Sequence, residues 1–145
     1  MPRNYTTTDL KYWSGKIEEL VESWGFDFYP QEFELVDYRT MLEAQAYLGM
    51  PSFYPHESFG KSYELSSALY RHGFSYLPYE LVINTNPCRA RLMIENDLAM
   101  QILTMAHVYG HNNFFKNNCH FLRLTNADLA LNFFRYASEV VRQYS

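Results

Sequence analysis

Two histidines, His107 and His111, stand four positions apart in the segment AHVYGH, residues 106–111. Residues at this spacing project from the same face of an α-helix, with Cβ atoms about 5–6 Å apart. Two such imidazoles can bind one Zn²⁺ or a similar ion at about 2.0–2.1 Å each. The pair resembles the H-E-x-x-H site of metallohydrolases. It lacks the glutamate of that site, because Val108 follows the first histidine and cannot take a proton from metal-bound water.

The same pair also has a purely structural interpretation. His107 could be a core histidine that is hydrogen-bonded to a backbone carbonyl. His111, near the predicted end of the helix, could carry a charge that complements the helix dipole. The spacing alone leaves the metal site and the structural pair open.

A metal site needs further ligands, and the best candidate for the third one is His56 in the loop segment YPH, residues 54–56. Its alternative role is to anchor that loop through hydrogen bonds to the backbone. Glu64 and Glu80 could each supply a carboxylate ligand or a base, or could be solvated or capping groups near the ends of their elements. The expected metal site is therefore His107, His111 and His56, with a divalent ion such as zinc, and no catalytic residue is assigned.

The remaining pattern predicts the elements that position these residues. A hairpin is expected from two runs of period two, Tyr79–Ile83 and Ala90–Ile94, and the segment FDFYPQEFELV is expected to be extended or irregular. The proline-rich segment MPSFYPHESFGK is expected to be a loop. Helices are predicted over Thr8–Trp24, Asp37–Leu48, Lys61–His72, Asp97–His111 and Asn126–Tyr144.

The fold class follows from this order of elements. We expect an α+β fold that is mostly helical, with a small antiparallel hairpin or sheet. The helix over Asp97–His111 is apolar on nearly all sides, which predicts a long, buried central helix. No linker or repeat interrupts the 145 residues, so a single domain over 1–145 is predicted.

Composition and charge exclude several classes of protein. The chain has 12 basic and 16 acidic residues, a net charge of −4, so it lacks the Lys/Arg excess of a nucleic-acid-binding protein. With 13 Tyr, 11 Phe and 2 Trp it has ample apolar area to fold. There is no glycine-rich phosphate loop and no G-x-S-x-G elbow, which excludes nucleotide hydrolysis and serine-hydrolase chemistry. No apolar run reaches about 18 residues and no signal segment is visible, so neither a membrane span nor export is expected.

Four segments resemble the stage V sporulation protein R (SpoVR-like) family. They occur in the family's order and cover nearly the whole chain: DFYPQEFELVDY (27–38), GMPSFYPHESFGKSYE (49–64), LPYELVINTNPC (77–88) and AHVYGHNNFFKNN (106–118). The resemblance covers only the amino-terminal portion of the family, whose members are several times longer. Two residues depart from the family pattern: Glu57 stands where a tryptophan is expected, and Asn113 where an acid is expected.

The resemblance implies a process rather than a reaction. Members of the family are linked to endospore formation and spore cortex assembly, and relatives in non-sporulating bacteria to stress responses. The favoured hypothesis is a cytoplasmic regulatory or scaffolding protein that binds a protein partner through an aromatic-rich surface. The alternative is a metal-dependent hydrolase acting on cell-wall or peptide amide bonds. In that case Asn113 weakens any scheme that needs a carboxylate just after His111.

Overall fold

The computed structural model describes residues 4–46, 61, 63–65, 67–68, 80–124 and 126–144. Within these ranges the chain forms five helices and three strands with defined ends. In chain order they are α1 (Thr7–Ser23), β1 (Gln31–Val36), α2 (Tyr38–Ala46), β2 (Glu80–Ile83), β3 (Cys88–Met93), α3 (Leu98–Asn117), α4 (Cys119–Leu124) and α5 (Ala127–Tyr144). Residues 61, 63–65 and 67–68 are also helical, within the predicted third helix. The predicted proline-rich loop lies outside the described residues up to position 60, and His56 with it.

Helix α1 begins and ends on local sequence signals. Thr6 caps it in a capping box, since its side chain accepts from the Asp9 amide while the Asp9 carboxylate accepts from the Thr6 amide. Gly25, at φ 82°, ends it in a conformation that favours glycine. Its apolar side chains are only partly buried: Ile17 and Val21 lie in the core, whereas Trp24, just after the helix, is 68% exposed.

The three strands form one mixed sheet in the order β1-β3-β2. The predicted hairpin is confirmed, because β2 and β3 pair antiparallel with Glu80 opposite Leu92. The segment expected to be extended or irregular contributes β1, which pairs parallel with β3 from Gln31 opposite Cys88 onward. A parallel pair joins segments far apart in the chain, so no short-range turn signal announces it.

Helix α3 is the central element and is longer than predicted. Asp97 caps it by accepting a hydrogen bond of 2.8 Å from the Met100 amide. One side of the helix is buried, and Leu103 on the other side is 66% exposed. The buried residues of this helix are Gln101, Thr104, Met105, Val108, Tyr109 and Asn112.

Two apolar clusters hold the elements together. The larger one joins α1, α3 and β3 and includes Ile17, Leu92, Met105 and Tyr109. The smaller one, with Met41 and Leu42, seats α2 against Val36 of β1. The predicted α+β class, mostly helical with a small sheet, is confirmed. None of the described helices is both long and apolar enough to cross a membrane.

Candidate metal centre

Three potential metal ligands come together where α3 crosses β2. His107 and His111 project from the same side of α3, as their spacing predicts. Glu80 is the first residue of β2 and pairs with Leu92 of β3. Cross-strand neighbours project from the same face of a sheet, and Leu92 belongs to the core cluster beneath α3. The carboxylate of Glu80 is thereby directed to the side of the sheet that carries the two imidazoles.

The distances within this centre are short. The Nε2 atoms of the two histidines are 2.9 Å apart, and the rings meet edge to face with centroids 4.5 Å apart. The Glu80 Oε1 atom lies 3.5 Å from Nε2 of His107. The ligand atoms of all three residues lie within 4.8 Å of one another, and no other set of three or more His, Cys, Asp or Glu side chains does so among the described residues.

These distances fit a metal ion of ordinary size. Two nitrogens 2.9 Å apart, each about 2.05 Å from an ion, subtend an angle of about 90° at it. That angle belongs to five- or six-coordinate geometry, and a rotation that separates the nitrogens by about 0.4 Å would reach the tetrahedral angle. The same 2.9 Å also suits an N–H···N hydrogen bond between two neutral imidazoles in different tautomers.

The surroundings favour the uncharged form of one imidazole. The pKa of His111 is lowered from its usual 6.5, first by burial and then by the neighbouring His107, while Glu80 opposes the shift. A neutral imidazole is the form that binds metal. The side chain of His107 is 62% exposed and that of Glu80 is 18% exposed, so solvent reaches the centre from the histidine side.

The structure adds one ligand to the predicted pair and leaves one candidate undescribed. His107 and His111 are brought together as expected, while the position of His56 lies outside the described ranges. Glu80, one of two acids that the sequence offered, joins the pair, whereas Glu64 is exposed and outside the cluster. The sequence signal for Glu80 was its place near the start of the alternating run Tyr79–Ile83. Alternation predicts on which face of the strand its side chain lies, but not which residue of another element it contacts.

A family model for SpoVR-like proteins matches residues 4–145 of the chain. The chain belongs to the SpoVR-like family. It is also 40% identical over 141 residues to YcgB, an uncharacterized protein of Escherichia coli K12, and the match covers 97% of this chain and 28% of that protein. The chain thus spans little more than a quarter of this relative's length. No solved structure matches the chain.

Two of the segments that carry the SpoVR-like resemblance contact each other directly. The buried Asn112 side chain accepts a hydrogen bond of 2.9 Å from the Tyr29 amide and donates to the Tyr29 carbonyl at 2.8 Å and to Gln31 Oε1 at 2.9 Å. Lys116 and Asn117, further along α3, bind Asp27 in the same incoming segment. The end of α3 is therefore held to the chain that leads into β1, which fixes the helix against the sheet.

Asn113, the departure from the SpoVR-like pattern, has a structural role. Its side-chain oxygen accepts a hydrogen bond of 3.0 Å from the Asp27 amide, on the side of α3 that holds the incoming segment. It is not a member of the metal cluster. An amide at this position can therefore serve the attachment of α3 without supplying a ligand.

A cavity of about 580 Å³ opens between α1 and the sheet, away from the histidine pair. Its floor is apolar and includes Phe33, Leu92 and Met105, while Lys11 and Glu18 stand at its edge. Tyr109 donates a hydrogen bond of 3.1 Å to the same Glu18 carboxylate. The titratable groups of the proposed metal centre lie on the other side of α3, which faces β2.

Proposed function

We propose that this SpoVR-like chain binds a divalent transition-metal ion through Glu80, His107 and His111. The observation that carries the proposal is the convergence of three donor atoms, from one strand and one helix, within 4.8 Å. Two imidazoles with one carboxylate are a ligand set of zinc hydrolases and of non-haem iron centres. Three protein ligands leave positions for water or a substrate, which is the arrangement of catalytic rather than structural sites.

Hydrolysis is the reaction class that we propose for this centre. A bound zinc ion polarises a carbonyl and lowers the pKa of its water to about 7, which generates a nucleophile at neutral pH. The base position of the H-E-x-x-H motif is Val108, whose side chain is fully buried. The centre therefore differs from H-E-x-x-H enzymes in having no proton acceptor at that position. The proposed substrates are peptide or cell-wall amides, which the family's link with the spore cortex supports.

Metal binding is tested on purified protein titrated with Zn²⁺ and Co²⁺ and measured by calorimetry and elemental analysis. We expect one ion per chain, with affinity reduced at least tenfold in Glu80→Gln and abolished in the His107→Ala/His111→Ala variant. His120→Ala is the matched control, because His120 is exposed and outside the cluster. A chain that stays metal-free at saturating Zn²⁺, or a double variant that binds as well as the parent, would contradict the proposal.

We propose a second function for a different surface, namely partner binding by a cytoplasmic regulator of sporulation or stress responses. The supporting observation is a row of exposed apolar side chains on one side of α1. Three of them are Trp13, Leu20 and Trp24, which are 37%, 48% and 68% exposed. Aromatic side chains of this kind are enriched in the cores of protein interfaces.

The two functions are separable in a strain that lacks the gene. We expect a Leu20→Glu/Trp24→Glu variant to lose complementation of the strain's stress or sporulation phenotype if partner binding is required. The metal-site double variant loses it if the metal centre is required. Arg135→Glu on the exposed side of α5, away from α1 in the chain, is the control for added negative charge. Full complementation by the α1 variant would rule out this surface as the partner site.

A further inference from the structure

An unbroken line of rings runs along α3 from the proposed metal centre. His107, His111 and Phe115 follow one another at intervals of four, so each ring lies next to the previous one on the helix surface. The rings of His111 and Phe115 are stacked, with an interplanar angle of 22° and centroids 6.0 Å apart. A phenyl ring therefore lies directly beside a proposed ligand of the metal.

The phenyl ring belongs to a larger aromatic cluster. Phe121, on the short helix α4, meets Phe115 edge to face at 5.4 Å and Phe114 at 5.8 Å. Phe114 is 52% exposed, and Leu122, next to Phe121, is 61% exposed. Phe115 and Phe121 are themselves only half-buried. Exposed rings on two helices thus form an apolar surface that begins where the metal centre ends.

The polarity of the centre changes across a few ångströms. Glu80 lies on the His107 side, with its carboxylate 3.5 Å from that ring, and the phenyl rings lie on the His111 side. A ligand that binds an ion here through an oxygen would place its next few atoms within reach of Phe115. An apolar group at that point would remove its own surface and that of the phenyl rings from water, whereas a carboxylate or another anionic group would gain no partner at the negative faces of these rings.

We propose that Phe115 and Phe121, with Phe114, form an apolar subsite of the metal centre that accepts an aromatic or bulky aliphatic group. The ligand class is an acyl compound that binds the metal through its carbonyl oxygen and whose carbonyl carbon is one or two bonds from that group. This inference rests on the proposed metal binding. It differs from a merely structural stacking of Phe115 on His111, which would orient the imidazole without contacting a ligand.

The test uses the Co²⁺-loaded protein and two hydroxamates that bind metals through the same two oxygens. Acetohydroxamate carries a methyl group and benzohydroxamate a phenyl group. We expect benzohydroxamate to bind about tenfold more tightly than acetohydroxamate, relative to the ratio for free Co²⁺, since burial of part of a phenyl ring is worth about 1.4 kcal/mol. The change in the Co²⁺ absorption spectrum gives both dissociation constants.

Variants separate the subsite from the metal site. The ring of Phe121 contacts Phe114 and Phe115 rather than either histidine, so Phe121→Ala is expected to bind Co²⁺ normally and to lose the phenyl preference. Phe115→Ala is expected to lose it too, with weaker Co²⁺ binding if its stacking also orients His111. Tyr12→Ala, which removes an exposed ring from α1, is the control and is expected to keep the preference.

The possible failures are distinguishable. Absence of Co²⁺ binding by the parent protein would overturn the proposed metal centre and the subsite with it. Normal Co²⁺ binding without a phenyl preference would overturn the subsite alone. A preference that persists in Phe121→Ala and in Co²⁺-loaded Phe115→Ala would also overturn it, because the phenyl group would then bind elsewhere.

Discussion

The Nε2 atoms of His107 and His111 lie 2.9 Å apart, with their rings nearly perpendicular. This separation suits a shared metal ion, and it equally suits a hydrogen bond between the two rings. The carboxylate of Glu80 beside them distinguishes the centre from an isolated pair of helix-surface histidines. An ion that binds these three side chains binds the folded chain and therefore stabilises it. Metal binding can thus be measured through the stability of the fold as well as through affinity.

Removal of metal should lower the melting temperature. Binding to the native state at a free concentration of 100 times the dissociation constant adds about 2.7 kcal/mol of stability. For a chain of this size that corresponds to a decrease of about 8 °C when a chelator removes the ion. Scanning calorimetry with and without excess chelator measures the effect. The His107→Ala/His111→Ala variant should melt at one temperature in both conditions, and a parent protein that does the same would contradict metal binding.

Replacement of Asn112 should destabilise the fold more than replacement of its neighbour. Asn112→Ala removes three hydrogen bonds and leaves the amide and carbonyl of Tyr29 without partners, at a cost of about 3 kcal/mol. Asn113→Ala removes the exposed hydrogen bonds that its side chain accepts from the Asp27 amide and from Asn117, and should cost less than about 1 kcal/mol. Urea unfolding gives both free energies. Equal losses would show that the buried amide is not what holds α3 to the segment before β1.

Substitution of Val108 by glutamate should destabilise the protein rather than complete an H-E-x-x-H site. Val108 is fully buried on the side of α3 that packs in the core. A carboxyl group there must be buried without a partner, and we expect Val108→Glu to cost about 3–5 kcal/mol of stability. Val108→Thr is the control of similar shape. A Val108→Glu protein as stable as the parent would mean that this position can turn toward the metal centre.

Tyr109 should impose a loss of stability at alkaline pH. Burial raises its pKa from 10 to about 12, against a smaller opposing effect of the Ser14 hydrogen bond. The unfolded chain therefore releases this proton at lower pH than the folded one. The stabilisation is complete below about pH 10 and is lost as pH rises toward 12, by about 3 kcal/mol at most.

The corresponding variant isolates this effect. Tyr109→Phe should be less stable at pH 8 by about 1 kcal/mol, since the hydrogen bond to Glu18 is lost. Between pH 10 and 12 it should lose less stability than the parent. Tyr12→Phe changes an exposed phenol and serves as the control. Parallel pH profiles for Tyr109→Phe and the parent would show that Tyr109 does not cause the alkaline slope.

Local signals in the sequence determined the elements whose ends depend on neighbouring residues. The glycine that ends α1, the hairpin of β2 and β3, and the i, i+4 histidine pair each need interactions only within a few positions of the chain. The four family segments identified the family for the same reason, since they are continuous strings. The apolar pattern of α1 was less informative. Amphipathic spacing shows which residues share a side but not how much of that side a neighbour covers, and Trp24 is left exposed.

The tertiary structure alone decided which residues meet across the chain. Glu80 reaches His107 because β2 pairs with β3 and α3 packs on the face that Glu80 shares with Leu92. Asn112 binds Tyr29 because β1 joins the sheet parallel to β3. Each contact depends on strand register and on helix packing, which arise from the whole core. The sequence could therefore supply the two imidazoles of α3, but only the packing of helix on sheet could supply the carboxylate beside them.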